Sequence, residues 1–63
     1  MELHNLKRKI LDFAKKDGVI TTTETANHFE VSWNTAEKHL LELALDNKVK
    51  RIKKVGVNLW VLK

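Results

Sequence analysis

Five cations stand within seven residues, Lys48, Lys50, Arg51, Lys53 and Lys54. Positive charge this dense suits an extended polyanion, because each phosphate it neutralises releases condensed counterions. The bland alternative is a solvated edge strand on which lysines block pairing with other chains. Upstream, Ser32, Trp33, Asn34, Thr35 and Lys38 form a second set. An asparagine amide can bond an adenine edge bidentately, and a lysine can take a guanine acceptor or a phosphate, so Asn34 and Lys38 are candidates for base contact. Ser32 can hold a phosphate through its hydroxyl or through a helix N-terminus. For Ser32 and Thr35 the competing role is helix capping, and for Trp33 it is packing. A third group, Lys7, Arg8, Lys9, Lys15 and Lys16, reads as a solvated helix face within reach of flanking phosphates.

Catalytic chemistry is not supported. His4, His28 and His39 have no histidine partner at i+4, and the chain has no cysteine, so no metal site is expected and the histidines read as surface residues. Neither a G-x-S-x-G elbow, a P-loop nor a G-x-G-x-x-G turn is present. A chain of 63 residues also offers little volume for a substrate pocket. The expectation is a protein that is not an enzyme and has no cofactor.

The elements that must carry these residues follow from periodicity. Leu3, Leu6, Ile10, Phe13 and Ala14 recur at helical spacing over 3–16, and Asp17-Gly18 supplies the stop. Val19 and Ile20 read as a short strand. Thr21 to Glu24 spells T-x-x-E, a capping box that starts a second helix near Thr22, running to about Phe29 with Ala26 and Phe29 inward. After Glu30-Val31, Ser32 offers a second N-cap for a helix over about 33–46, whose inward stripe is Ala36, Leu40, Leu43 and Ala44. Asn47 suits a left-handed helix end. Two β-rich runs, 49–54 and 57–62, flank Gly56 as a hairpin. The predicted fold is α+β, one domain over 1–63, in the order helix, strand, helix, helix, strand, strand. Its core is Leu6, Ile10, Phe13, Ile20, Ala26, Phe29, Val31, Ala36, Leu40, Leu43, Val49, Trp60 and Leu62.

This order resembles the winged helix-turn-helix family of bacterial and archaeal transcription regulators. The family's recognition helix reads S-x-x-T-x-x-x-x-L-x-x-L, matched here by Ser32, Thr35, Leu40 and Leu43. Ala26, Phe29 and Val31 match its second helix and turn. Two positions depart from the pattern: Glu30 stands where the turn often has glycine, and Thr25 where the second helix often has leucine. The resemblance implies a DNA-binding regulator, with the third helix in the major groove of double-stranded DNA and a basic wing over 48–56 on phosphate or minor groove. Its candidate DNA-binding residues are Ser32, Trp33, Asn34, Thr35, Lys38, Lys50, Arg51, Lys53 and Lys54. Winged helices that bind left-handed nucleic acid pair a wing tryptophan, similar to Trp60, with an asparagine and a tyrosine on the third helix. Glu37 and Leu41 align with those two, so left-handed specificity is not expected and Trp60 reads as core.

Three features favour a second reading, a protein-docking winged helix in a transcription or replication assembly. Glu37, Glu42 and Asp46 make the third helix acidic, with Glu37 suited either to accept from a cytosine or to repel the backbone. Leu41 and Leu45 fall on its outward face. Both faces of the last strand are apolar; with Trp60 and Leu62 inward, Leu59 and Val61 cover the first helix or meet a second chain, which makes a homodimer a hypothesis. Composition sets the remaining bounds. The chain is 43% hydrophobic and 32% charged, with a formal charge of +4. It has no apolar run near the roughly 20 residues of a membrane span and no apolar segment after Met1, so a soluble cytoplasmic protein is expected.

Overall fold

The computed structural model describes the backbone of residues 2–63 and the side chains of residues 6–63; the expected roles of Leu3 and His4 lie outside that range. Six elements follow in the expected order: α1 (Glu2–Asp17), β1 (Val19–Thr21), α2 (Thr22–Phe29), α3 (Trp33–Leu45), β2 (Val49–Lys54) and β3 (Val57–Leu62). The strands form one antiparallel sheet in the order β1-β3-β2.

Local chemistry sets the boundaries. Gly18 adopts a φ of 84° and its N–H bonds the Ala14 carbonyl at 2.7 Å, closing α1. The capping box forms in full: the Glu24 N–H donates to Thr21 Oγ1, and the Thr21 N–H donates to Glu24 Oε1, each at 3.0 Å. Thr25 is fully buried in place of the family's leucine, and its hydroxyl is satisfied by the Thr21 carbonyl at 2.8 Å. Both remaining helices end on a left-handed residue. Glu30 takes φ 56° while the Val31 N–H reaches back to the Ala26 carbonyl at 3.0 Å; Asn47 takes φ 63° while the Lys48 N–H reaches the Leu43 carbonyl at 2.9 Å. Asparagine adopts that conformation at less cost than glutamate. Glu30→Gly is therefore expected to raise stability by roughly 0.5–1 kcal/mol, the relief of left-handed strain less the entropy of glycine, read as a higher urea midpoint at unchanged slope.

The core gathers on one side of the sheet. Ile10, Ala14, Ile20, Leu40, Leu43, Val49 and Trp60 form the buried cluster, with Leu6, Leu11, Phe13, Phe29 and Ala44 packed partly against it. Strand alternation explains which hairpin residues join. Trp60 pairs with Ile20 on one flank and Arg51 on the other, and Val49 pairs with Leu62, so 58, 60, 62 and 49, 51, 53 share the helix-bearing face. The opposite face carries Val57, Leu59 and Val61 with Lys50, Ile52 and Lys54.

Two expectations are corrected. Leu62 has the predicted parity but is 38% exposed, because it is the last residue of β3, two positions beyond Trp60 at the rim of the covered face. His39 is not a surface residue: it is 3% exposed, since at i+3 from Ala36 it falls on the inner stripe of α3. Its Nδ1 lies 3.4 Å from Glu42 Oε1, and its Nε2 has no partner among the described residues. His28 is exposed, and its ring stacks on Phe13 with centroids 4.3 Å apart. Among the described residues no helix is long and apolar enough to cross a membrane.

Candidate nucleic-acid interface

The start of α3 is fixed by its cap. The Thr35 N–H donates to Ser32 Oγ at 3.1 Å, and the Ser32 hydroxyl donates onward to Thr35 Oγ1 at 2.9 Å. Both hydroxyls are thus engaged in capping. The cap holds Trp33 and Asn34 on the first helical turn, both exposed, with exposed Lys38 one turn further on. Asn34, Lys38, Leu41 and Leu45 share one outward stripe, with Leu41 38% and Leu45 83% exposed, as the sequence led one to expect.

Trp33, 47% exposed, faces the hairpin across an open cleft of about 320 Å³. Thr21 at the end of β1 and Thr22 and Thr23 of α2 line it from one side, and Lys53, Lys54, Gly56, Val57 and Asn58 of the hairpin from the other. Gly56, at φ 83°, makes the sharp turn that sets the lysines there. None of the lining residues is acidic.

The structure does not bring all the hairpin cations to this cleft. Arg51 and Lys53 lie on the helix-bearing face by register, and Lys54 reaches the cleft from the turn. Lys50, paired with Val61, stands on the opposite face of the sheet. Along α1, Arg8, Lys9, Lys15 and Lys16 are exposed. Lys7 instead bonds Asp46 at the end of α3, 2.9 Å away. That hydrogen bond, aided by the charges of Asp46 and Glu42 and only partly opposed by burial, raises the Lys7 pKa above its ordinary 10.5. The pair's contribution is thus fully present at neutral pH and is lost only as pH rises through that raised value; it is small, because both groups meet solvent.

A polar strut joins α2, α3 and the hairpin. The Trp60 indole N–H donates to Thr22 Oγ1 at 2.9 Å, and the Thr22 hydroxyl donates to Glu37 Oε1 at 2.8 Å. Asn58 Nδ2 donates to Glu37 Oε2 at 3.3 Å. Glu37, read from sequence as a group that accepts from a base or repels phosphate, is half-buried with both oxygens occupied inside the protein. Sequence reasoning missed Thr22 and Asn58. Thr22 is hidden in a run of three threonines; Asn58, one polar side chain in an otherwise apolar strand, was the available signal. Among the described residues no cluster of three or more histidine, cysteine or acidic side chains forms a metal site.

No protein-family model matches the chain, and no curated protein does. Among solved structures, the Zalpha domain of PKZ from Carassius auratus, determined in complex with Z-DNA, superposes with a TM-score of 0.90 at 24% identity, over 100% of each chain. A likeness of that closeness over both whole chains shows that this protein has the winged-helix fold.

Proposed function

We propose that this protein binds right-handed duplex DNA as a transcriptional regulator, with α3 in the major groove and the hairpin as a wing on the adjacent backbone. The observation that carries the reading is the convergence of Trp33, Lys53 and Lys54 on one cleft without acidic lining, beside the exposed Asn34 and Lys38. Phosphate neutralisation by the lysines supplies affinity, and the polar groups on the first turns of α3 supply base contacts. The internal engagement of Glu37 supports this reading, because a carboxylate held by Thr22 and Asn58 is turned away from the approaching backbone.

The test is binding to random-sequence duplex across a salt series. Loss of Lys53 and Lys54 to alanine is expected to flatten the log-log slope by about two, close to 0.9 per phosphate contact removed, whereas Lys50→Ala changes it much less. Absence of binding by the parent even at low salt would overturn the proposal and favour a protein-docking winged helix, which the exposed Leu41 and Leu45 also suit.

The bound ligand of the PKZ domain motivates a second reading, left-handed DNA. Against it, Trp60 is 0% exposed with its N–H committed to Thr22, and Glu37 and Leu41 occupy the two aligned α3 positions. Circular dichroism of an alternating dC-dG duplex separates the two: no spectral inversion is expected, and inversion at stoichiometric protein would establish left-handed binding.

A further inference from the structure

We propose that the outer face of the sheet is a second docking surface, whose partner is an acidic amphipathic segment of another protein. The inference does not depend on the DNA reading. By register, Val19 lies beside Val61 and Ile52 beside Leu59, so four aliphatic side chains form one continuous patch, while Val57, next along β3, lines the cleft beside Trp33. Val19 is 49% and Ile52 37% exposed, while Leu59 and Val61 are half-buried. The core cluster lies behind the other face, around Ile20, Val49 and Trp60. Contiguous aliphatic side chains left on an exposed sheet face are a surface that a partner can cover.

The charge around the patch specifies the partner. Lys50, paired with Val61, borders this patch, Lys54 at the turn being the cleft's, and no acidic residue stands on any of the three strands. The complement is therefore apolar at its centre and carboxylate-bearing at its margin. A second copy would set lysine against lysine on a chain of net charge +4. Nucleic acid would satisfy the lysine and leave the aliphatic groups wet. The Val19–Val61 end lies four residues along β3 from Val57, roughly 13 Å from the wing turn, so a partner seated there leaves the wing tip free.

The probe is a synthetic leucine-glutamate amphipathic helix, with a leucine-lysine helix as control, titrated into methyl-labelled protein and followed by NMR. The methyl signals of Val19, Ile52, Leu59 and Val61 are expected to shift saturably with the glutamate peptide alone, while those of Val57, Leu41 and Leu45 stay put. The double variant Val19→Thr, Ile52→Thr keeps β-branched shape on exposed positions and is expected to bind at least tenfold more weakly, with duplex DNA affinity within twofold of the parent. Lys50→Glu is expected to weaken the glutamate peptide by a similar factor and to admit the lysine peptide. No shift at millimolar glutamate peptide, or equal response to both peptides, overturns the proposal. So does perturbation of the same methyls by protein concentration alone, which assigns the face to a second copy, or by phosphatidylserine vesicles without response to the peptide, which assigns it to membrane. Because DNA binding is read separately on the parent, failure here is distinguishable from failure of the DNA reading.

Discussion

Truncation of Trp60 to alanine is expected to remove most or all of the folded population at 25 °C. Its side chain is the largest of the fully buried ones, and it lies in the central strand with Ile20 on one flank and Arg51 on the other. Deleting a buried tryptophan costs about 3–5 kcal/mol through lost transfer energy and an unfilled cavity. A domain of 63 residues has roughly 3–9 kcal/mol in total at 0.05–0.15 per residue. The loss is therefore comparable to the whole. Trp60→Phe retains most of the volume and gives up the indole N–H bond to Thr22, so about 1–2 kcal/mol is expected. Urea melts followed by far-UV circular dichroism check both, and a Trp60→Ala protein within 1 kcal/mol of the parent would show that the core does not depend on this ring.

The sequence discloses whatever depends on neighbours. Ile10 and Ala14 follow from helical spacing, the Thr21–Glu24 box from its i, i+3 pattern, and the left-handed helix ends at Gly18 and Asn47 from residue type and position. The hairpin follows from two β-rich runs around Gly56. Each needs only a few residues of context. What escapes is set by distant pairings. Thr22 meets Glu37 across 15 positions, Asn58 meets Glu37 across 21, and Trp60 meets Thr22 across 38. No local pattern ties them together, so Glu37 looks like a free acidic group on a DNA-facing helix. His39 escapes for another reason, since residue type argued for the surface while helical phase put it inside. The division of the hairpin cations was within reach: placing Trp60 inward fixes the parity of β3, and a two-residue turn carries that parity to Lys50, Arg51, Lys53 and Lys54.

That division changes how a dense basic run is read. Five cations in seven residues act as one patch on a helix or in a disordered tail, whereas on a strand alternate residues serve different faces. Here Lys53, with Lys54 at the turn, borders the cleft beside Trp33, while Lys50 borders the aliphatic outer face. One segment thus carries charge to two surfaces. A uniform substitution of the run would mix their effects, which is why single and paired replacements separate them.

Glu37→Ala is expected to loosen the wing from the rest of the protein. Glu37 is the acceptor that holds Asn58 of β3 and Thr22 of α2 to α3, and hydrogen bonds to a charged group contribute about 1.5–3 kcal/mol each when well shielded. Glu37 is half-buried, so a total near 2 kcal/mol is expected rather than the sum. Two outcomes for DNA can be told apart by sign. If Glu37 acted mainly by repelling phosphate, its removal would strengthen duplex binding, and Glu37→Gln would do the same. If it positions the wing, Glu37→Ala weakens binding by about tenfold, equivalent to 1.4 kcal/mol, because Lys53 and Lys54 must then be ordered at the moment of contact. The glutamine variant discriminates further. The glutamine oxygen can keep the Thr22 bond and its amide N–H can donate to a flipped Asn58 Oδ1, so both contacts persist as weaker, uncharged hydrogen bonds. Its stability and affinity are expected to fall between those of the parent and the alanine variant, despite the more favourable charge. Tighter binding by both variants at low salt would show that Glu37 acts through its charge and not through the strut.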